Sequence, residues 1–320
     1  MSFVHDDPAF GDLIRIVADK RRLSLGLVEK DYWVTHTLWA LHESGFEIWL
    51  KGGTSLSKAF FLIERFSEDL DLKIDPGRVE GVPAVTNWKS EGKTATETRR
   101  AYFEALSSKL VVPGAEILLE TDSADRSWRA ANLRVLYRRR HEDVLGGLLR
   151  PFVLLEIGSA RVVPFVLRDL SSFVHDELAE QGQFTEFDEN RPGNVRSVHP
   201  LVTLIEKLDA LHRRVPNESV DPATFVRHFE DAARVIAGES SLPSLPGGAD
   251  IRALASEMEE ERQIAGLPAS SDSAFNITGD SRGESVRAAY AGIAPMFWGR
   301  RISLDEACAT IRDWIRRTFE

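Results

Sequence analysis

The chain has 320 residues, 43% hydrophobic and 28% charged, a balance that suits a sizeable core and two domains. A formal net charge of −10 argues against a protein that coats nucleic acid non-specifically, and a single cysteine, Cys308, excludes an intrachain disulfide or a cysteine-rich zinc centre. The sequence does not open on a basic segment followed by an apolar run, and no stretch reaches the ~18 apolar residues of a membrane span, so the expected location is the cytoplasm.

Residues 8–24 read as a short helix, and 27–44 as a longer one stopped by Gly45. "EIWL" (47–50) reads as a buried strand and Gly52-Gly53 as the turn out of it. From Thr54 to Phe66 the residues Leu56, Phe60, Ile63 and Phe66 recur at helical spacing, predicting a helix. "DLDLKI" (69–74) switches to period two, with Leu70, Leu72 and Ile74 on one face. A helix over 94–110 and strands over 115–120, 132–138 and 152–158 follow. Residues 1–175 thus read as a small mixed sheet flanked by helices, and 176–320 as mainly helical, an α+β fold of two domains. In the second part Pro200 opens a helix that closes before Pro216. Asp221-Pro222 opens the next, ended by Gly238, and a loop rich in Ser, Pro and Gly (239–250) leads to a helix over 251–265. The last helix starts at Ser303, with Glu306 three positions on as in a capping box.

The turn and the strand after it carry the chemistry. Gly52 and Gly53 let the backbone turn sharply and let a ligand approach. Thr54 or Ser55 then stands at a helix start, where free N–H groups favour phosphate, and Lys58 could add charge to the same anion. The spacing is not that of a Walker loop, and a Gly-Gly pair before a helix also serves as a plain connector. Asp69 and Asp71 sit at i and i+2 of one strand, on one face, with Cα atoms about 6.5–7 Å apart. Two carboxylates that close repel unless a cation lies between them, and hard ions such as magnesium or manganese take one or two carboxylates plus substrate phosphates. A third acid, Glu156, is flanked by Val153, Leu154, Leu155 and Ile157, which predicts a central strand and a carboxylate that needs pairing or metal. A salt bridge to Arg161 is the competing account. Lys207, Ala210 and Arg214 share a helix face that could lie over a triphosphate or simply meet solvent. Arg227 and Asp231 at i and i+4 could be no more than a helix ion pair. Arg126, Arg129, Arg134, Arg138, Arg139 and Arg140, interleaved with Trp128 and Tyr137, suit an RNA backbone or a charged strand edge.

In order, "GGTSLSK", "RFSEDLDL" and "LLEIG" resemble the AbiEii/AbiGii toxin family of the nucleotidyltransferase superfamily, marked by a Gly-rich turn opening a helix, D-x-D on the next strand and a later strand acid. "VEKDYWVT" (28–35), "LIEKLDALHRR" (204–214), "RHFEDAARVI" (227–236) and "YAGIAPMFWG" (290–299) extend the likeness. Glu230 before Asp231 and Ala232 after it depart from the family pattern, while Asp231 keeps its place. The resemblance implies a polymerase-β-like catalytic half and a helical half with nucleotide between them. It further implies nucleotidyl transfer from an NTP, a tRNA 3′ end as acceptor, and a cognate antitoxin. Carried over, Gly52, Gly53, Thr54 and Ser55 would touch the triphosphate, Asp69 and Asp71 would hold magnesium, and Lys207 and Asp231 would complete the site. Transfer to a small-molecule or protein hydroxyl, or nucleotide binding without chemistry, are the alternative readings.

Overall fold

The longest buried helix carries buried polar and charged residues, Glu29, Lys30, Asp31, Thr35 and His36, among its apolar ones. In the computed structural model, which describes residues 2–67, 69–142, 149–183 and 186–320, that helix is α2 (Leu25–Glu43). Ser24 caps it by accepting the Leu27 N–H, and Gly45 ends it at φ +93°. Several of its polar residues are bonded inside the protein: Asp31 accepts from Lys58 and from the Phe173 N–H, and Tyr32 and His36 join a network with His5, Asn190 and His175.

The chain forms two compact units. The first comprises Met1–Ala59, Ser67–Val162 and Leu167–Ser197; the second comprises Phe60–Phe66, Val163–Val166 and Val198–Glu320. The first therefore runs past residue 175, and two short segments interrupt it. Its elements are α1 (Phe10–Arg21), α2, β1 (Glu47–Lys51), a single turn α3 (Gly52–Thr54), β2 (Asp69–Asp75), α4 (Lys93–Lys109), β3 (Ala115–Glu120), β4 (Ala130–Tyr137), β5 (Val153–Gly158), β6 (Phe165–Arg168), α5 (Phe173–Glu180) and β7 (Val195–Val198), of which Phe165, Val166 and Val198 count with the second unit. The strands form one mixed sheet in the order β3-β4-β5-β2-β1-β7-β6. β2 runs parallel to β5 and antiparallel to β1, and Leu70, Leu72 and Ile74 bury one of its faces. The second unit holds α6 (Pro200–Arg214), α7 (Arg227–Ala237), α8 (Ile251–Glu260), α9 (Ser281–Gly292) and α10 (Leu304–Phe319). Leu204, Leu208, Phe229, Ile311 and Trp314 form its core, and Ser303 caps α10 by accepting the Glu306 N–H. The α+β architecture expected from the sequence is the one observed.

Three readings need correction. The helix expected from Thr54 to Phe66 stops early: α3 passes into one π-helical turn, Ser55–Ala59, and then unwinds. The cause is tertiary. Arg65 bridges Phe297, the Phe66 N–H donates to Met296 O, and the Trp298 N–H donates to Glu64 O, so the irregular segment Phe60–Phe66, with Phe61 at φ +54°, is held by the second unit's own chain. Buried Ile63 and Phe66 suited a helical stripe but serve this pairing instead. Asp221-Pro222 caps only a short 3₁₀ turn, α7 starting at Arg227. The strands β6 and β7, of four residues each, are too short to show a period, and β7 lies where the strand pattern fades.

Candidate active site

Strand β2 places its acids by alternation. Leu70 and Leu72 go into the core, so the half-buried Asp69 and Asp71 share the opposite face. Across the parallel pair Asp71 stands beside Glu156, and across the antiparallel pair beside Lys51. Three carboxylates from two neighbouring strands therefore gather on one face. The cation against them is Arg150, whose Nη1 lies 3.0 Å from Asp69 Oδ1.

Glu156 sits on a central strand, as expected, but its side chain is open to solvent rather than enclosed. The protein packed around its inner side still desolvates it, and the negative charge of Asp71 and Asp69, with a hydrogen bond shared with Asp71, adds to that effect. Together these push its pKa up to about 7, against the opposing pull of Arg150. Burial is the larger cause of that shift, and the neighbouring negative charge adds to it.

The turn out of β1 presses on the same acids. Gly52 adopts φ +70°, and a side chain there would collide with the Asp71 carboxylate, so only glycine fits both the backbone and the contact. Thr54 is buried and its hydroxyl donates to Asp69 O at 2.7 Å, fixing the start of β2 to the turn. The Ser55 hydroxyl is fully buried and has no hydrogen-bond partner among the described residues. Lys58 is engaged elsewhere: its ammonium donates to Asp31 and, at 2.8 Å, to Ser171 O, tying α2 and the chain before α5 to the turn.

The second unit gathers its own predicted residues. Asp231 is wholly buried, with Arg65 Nε and Nη2 each donating to it at 2.7 Å and Lys207 Nζ lying 2.8 Å away. Burial alone would raise the Asp231 pKa; Arg65 and Lys207 outweigh it and hold the carboxyl far below the usual range. Lys207, lowered by burial and lifted by Asp231, also donates to His228 Nδ1 at 3.2 Å. Arg214 is half-buried, its pKa lowered by burial and by the nearby cations Arg213 and Arg227. Arg65 escapes a sequence reading because its segment has helical spacing, where it takes an ordinary polar position. Arg150 carries no sequence signal beyond its charge.

The arginine-rich stretch divides. Arg134 pairs with Glu120 and lies over Phe152, and Arg129 pairs with Glu91, while Arg138, Arg139 and Arg140 are exposed after β4. Trp128 takes the cation of Arg100 rather than an open stacking position, and Tyr137 stacks on Trp33.

Among the described residues no group of three His, Cys, Asp or Glu side chains is arranged to hold a metal ion. Asp69 and Asp71 nevertheless fit a divalent cation in their chemistry, two hard oxygen donors on one strand face with the Gly52 turn packed against one of them.

Comparison with known proteins places the chain. The family described as "Nucleotidyl transferase AbiEii toxin, Type IV TA system" matches residues 39–301. A search of curated proteins returned no significant match. Among solved structures, terminal uridylyl transferase 4 from Trypanosoma brucei with bound UTP and UMP is similar at 11% identity and a TM-score of 0.25, over 74% of this chain and 61% of that one. The same protein with bound CTP aligns at 10% identity and a TM-score of 0.25, over 96% of this chain and 95% of that one.

Proposed function

We propose, for a chain that belongs to the AbiEii nucleotidyl transferase toxin family of type IV toxin–antitoxin systems, transfer of a nucleoside monophosphate from an NTP to an RNA acceptor, with the tRNA 3′ end as the acceptor class. The protein is an enzyme, a nucleotidyltransferase. The observation that carries the finer reading is the gathering of Asp69, Asp71 and Glu156 on one face beside the Gly52 turn.

The turn is the part that receives the triphosphate. Its glycines let the backbone come close, and the Ser55 hydroxyl has a bond to offer. Asp69 and Asp71 would hold magnesium or manganese, which supplies neutralising charge for the phosphates and the departing pyrophosphate. Glu156, level with Asp71 on the adjoining strand, is assigned the proton of the acceptor hydroxyl. The acceptor oxygen bonds to the α-phosphorus as the bond to the bridging oxygen of the β-phosphate breaks; pyrophosphate leaves with that electron pair, and the proton passes to Glu156. In the second unit, Asp231 is the group that holds Lys207 and Arg65. Lys58, with Asp31 as its partner, is assigned to holding the turn.

Among the described residues no helix is long and apolar enough to cross a membrane, and a cytoplasmic enzyme restrained by a cognate antitoxin is part of the same proposal. Each NTP labelled at the α-phosphate is incubated with the protein, magnesium and total RNA. Label in RNA, lost in Asp69→Ala, is the expected result. Label on protein or a small molecule moves the acceptor class, nucleotide binding without any product makes the chain a binding partner, and transfer by Asp69→Ala at the wild-type rate overturns the site.

A further inference from the structure

Lys58 stands on the π-helical turn that continues the Gly52 turn, a place where a lysine reads as a phosphate ligand. Its surroundings say otherwise. The side chain is 10% exposed, and its ammonium donates to Asp31 and, at 2.8 Å, to Ser171 O. Asp31 is 4% exposed and keeps its second oxygen on the Phe173 N–H at 2.9 Å. Turning the ammonium toward a ligand would leave a buried carboxylate without its cation, which is a costly state. Lys58 is therefore committed to the protein, and the residues it is committed to, Ser171 and Phe173, flank the N-cap of α5.

That cap, Ser172, is fastened to α2 by a second set of bonds. The Ser172 hydroxyl accepts the His175 N–H and lies 2.7 Å from His175 Nδ1. His175 Nε2 lies 2.7 Å from Asn190 Oδ1, and Asn190 Nδ2 donates to the Tyr32 hydroxyl at 2.8 Å and to His36 Nδ1 at 2.9 Å. His36 Nε2 lies 3.0 Å from Pro113 O. A carbonyl only accepts, so Nε2 of His36 carries the proton and its Nδ1 takes the amide. The Asn190 oxygen likewise takes the proton of His175 Nε2, which leaves Nδ1 to accept from Ser172. Burial keeps both rings neutral, pushing the His36 pKa down to about 3 and that of His175 to about 4. The start of α5 is thus a fixed point, held by Tyr32 and His36 through Asn190 and by Asp31 directly, all three on α2.

We propose that Asp31 is a positioning residue for nucleotide binding: through Lys58 it fastens the Gly52 turn to the start of α5, and Asn190 keeps that start in place. The inference rests on the reading of the turn as the seat of the triphosphate. Phosphate held by backbone N–H groups gains from a turn already in shape, because any ordering of the turn on binding is subtracted from affinity. Lys58 acts on the phosphate only through the backbone that it holds, and Asp31 and Asn190 act without touching substrate.

The test uses the full chain with Asp31→Asn, Lys58→Met, the two together, and Asn190→Ala. Leu106→Ala, a truncation of a buried residue on α4, controls for loss of stability. Binding of each of the four NTPs, labelled at the α-phosphate, is measured with magnesium by equilibrium dialysis without RNA, and transfer is measured with NTP and RNA varied separately. Asp31→Asn is expected to weaken NTP binding and raise KM for NTP by about tenfold, with kcat and KM for RNA within about twofold of the wild type. Lys58→Met does the same, and the double variant is no worse than either single one, since all three break one linkage. The double variant buries no lone cation, so it carries the comparison if Asp31→Asn fails to fold. Asn190→Ala shifts KM for NTP in the same direction, whereas Leu106→Ala lowers the melting temperature and leaves that KM unchanged. Tighter NTP binding in Asp31→Asn overturns the proposal, because Asp31 then withholds Lys58 from the phosphate. So does wild-type NTP affinity in Asp31→Asn and the double variant, a larger loss in Lys58→Met than in Asp31→Asn, or an equal rise in KM for NTP in Leu106→Ala. Gly52→Ala separates the inference from its premise. Unchanged NTP affinity there removes the triphosphate from the turn and the inference with it; weakened binding there, without an effect of Asp31→Asn, keeps the turn and overturns the inference alone.

Discussion

Asp71 and Asp231 are the same residue type in opposite surroundings. Around Asp71 three carboxylates lie with Arg150 at a half-open strand face, and desolvation together with the neighbouring negative charge lifts Glu156 to about 7. Around Asp231 one carboxylate faces Arg65 and Lys207, fully buried, and its own pKa is driven down. The first group sets three carboxylates on one half-open strand face. The second sets two cations on one carboxylate, so that carboxylate is committed to holding side chains in place. Charge balance and exposure, not residue identity, divide the two tasks.

That contrast breaks most sharply at the acids. Asp71→Ala is expected to lower transfer by about 10³-fold, the scale of removing a charge-stabilising group, while the melting temperature holds or rises because repulsion is relieved. Labelled-NTP transfer and a circular-dichroism melt check both halves, and a protein that unfolds instead would put Asp71 in the same class as Asp231. Asp231→Asn removes the buried carboxylate between Arg65 and Lys207 and is expected to cost about 3–5 kcal/mol in urea unfolding. Arg65→Met should destabilise less than additively with it, since both remove one interaction. Gly52→Ala comes next. A left-handed backbone costs a residue with a side chain about 1–2 kcal/mol, and the Asp71 carboxylate must also move, so transfer should fall further than stability does.

The smallest effect is on pH. The folded pKa of Glu156 lies above its unfolded value, so its contribution to stability is fully present below about pH 4.5 and is lost as pH rises through about 7. Asp231 has the opposite sign: its contribution is present above about pH 4 and is lost as pH falls further. Glu156→Gln should therefore stabilise the metal-free protein at pH 8 relative to pH 5, by on the order of 1 kcal/mol after screening at an exposed site. Urea unfolding at the two pH values in chelator measures it; equal shifts at both would mean that the Glu156 pKa is not raised in the folded protein.

Legibility in the sequence follows the range of the interaction. Asp69 and Asp71 share a face because alternation is a local property of a strand, and Leu70 and Leu72 fix which face. The Gly52 turn is readable for the same reason, although not its contact with Asp71, which joins two strands. The segment after Ala59 defeats a sequence reading because its apolar spacing fits a helix while its pairing with residues 296–298 lies far along the chain. Lys58 shows a charge near a turn; only packing shows that charge turned to Asp31.

By itself the sequence determined the α+β architecture, the ordered motifs that mark the family, and the strand that carries two acids on one side, all products of local periodicity and order along the chain. Tertiary structure alone decided which charges meet: Glu156 beside Asp71, Arg150 on Asp69, Arg65 and Lys207 on Asp231. The partners in these pairs lie between 24 and 166 residues apart in the chain, so no window of sequence contains both the charge and the neighbour that gives it its task.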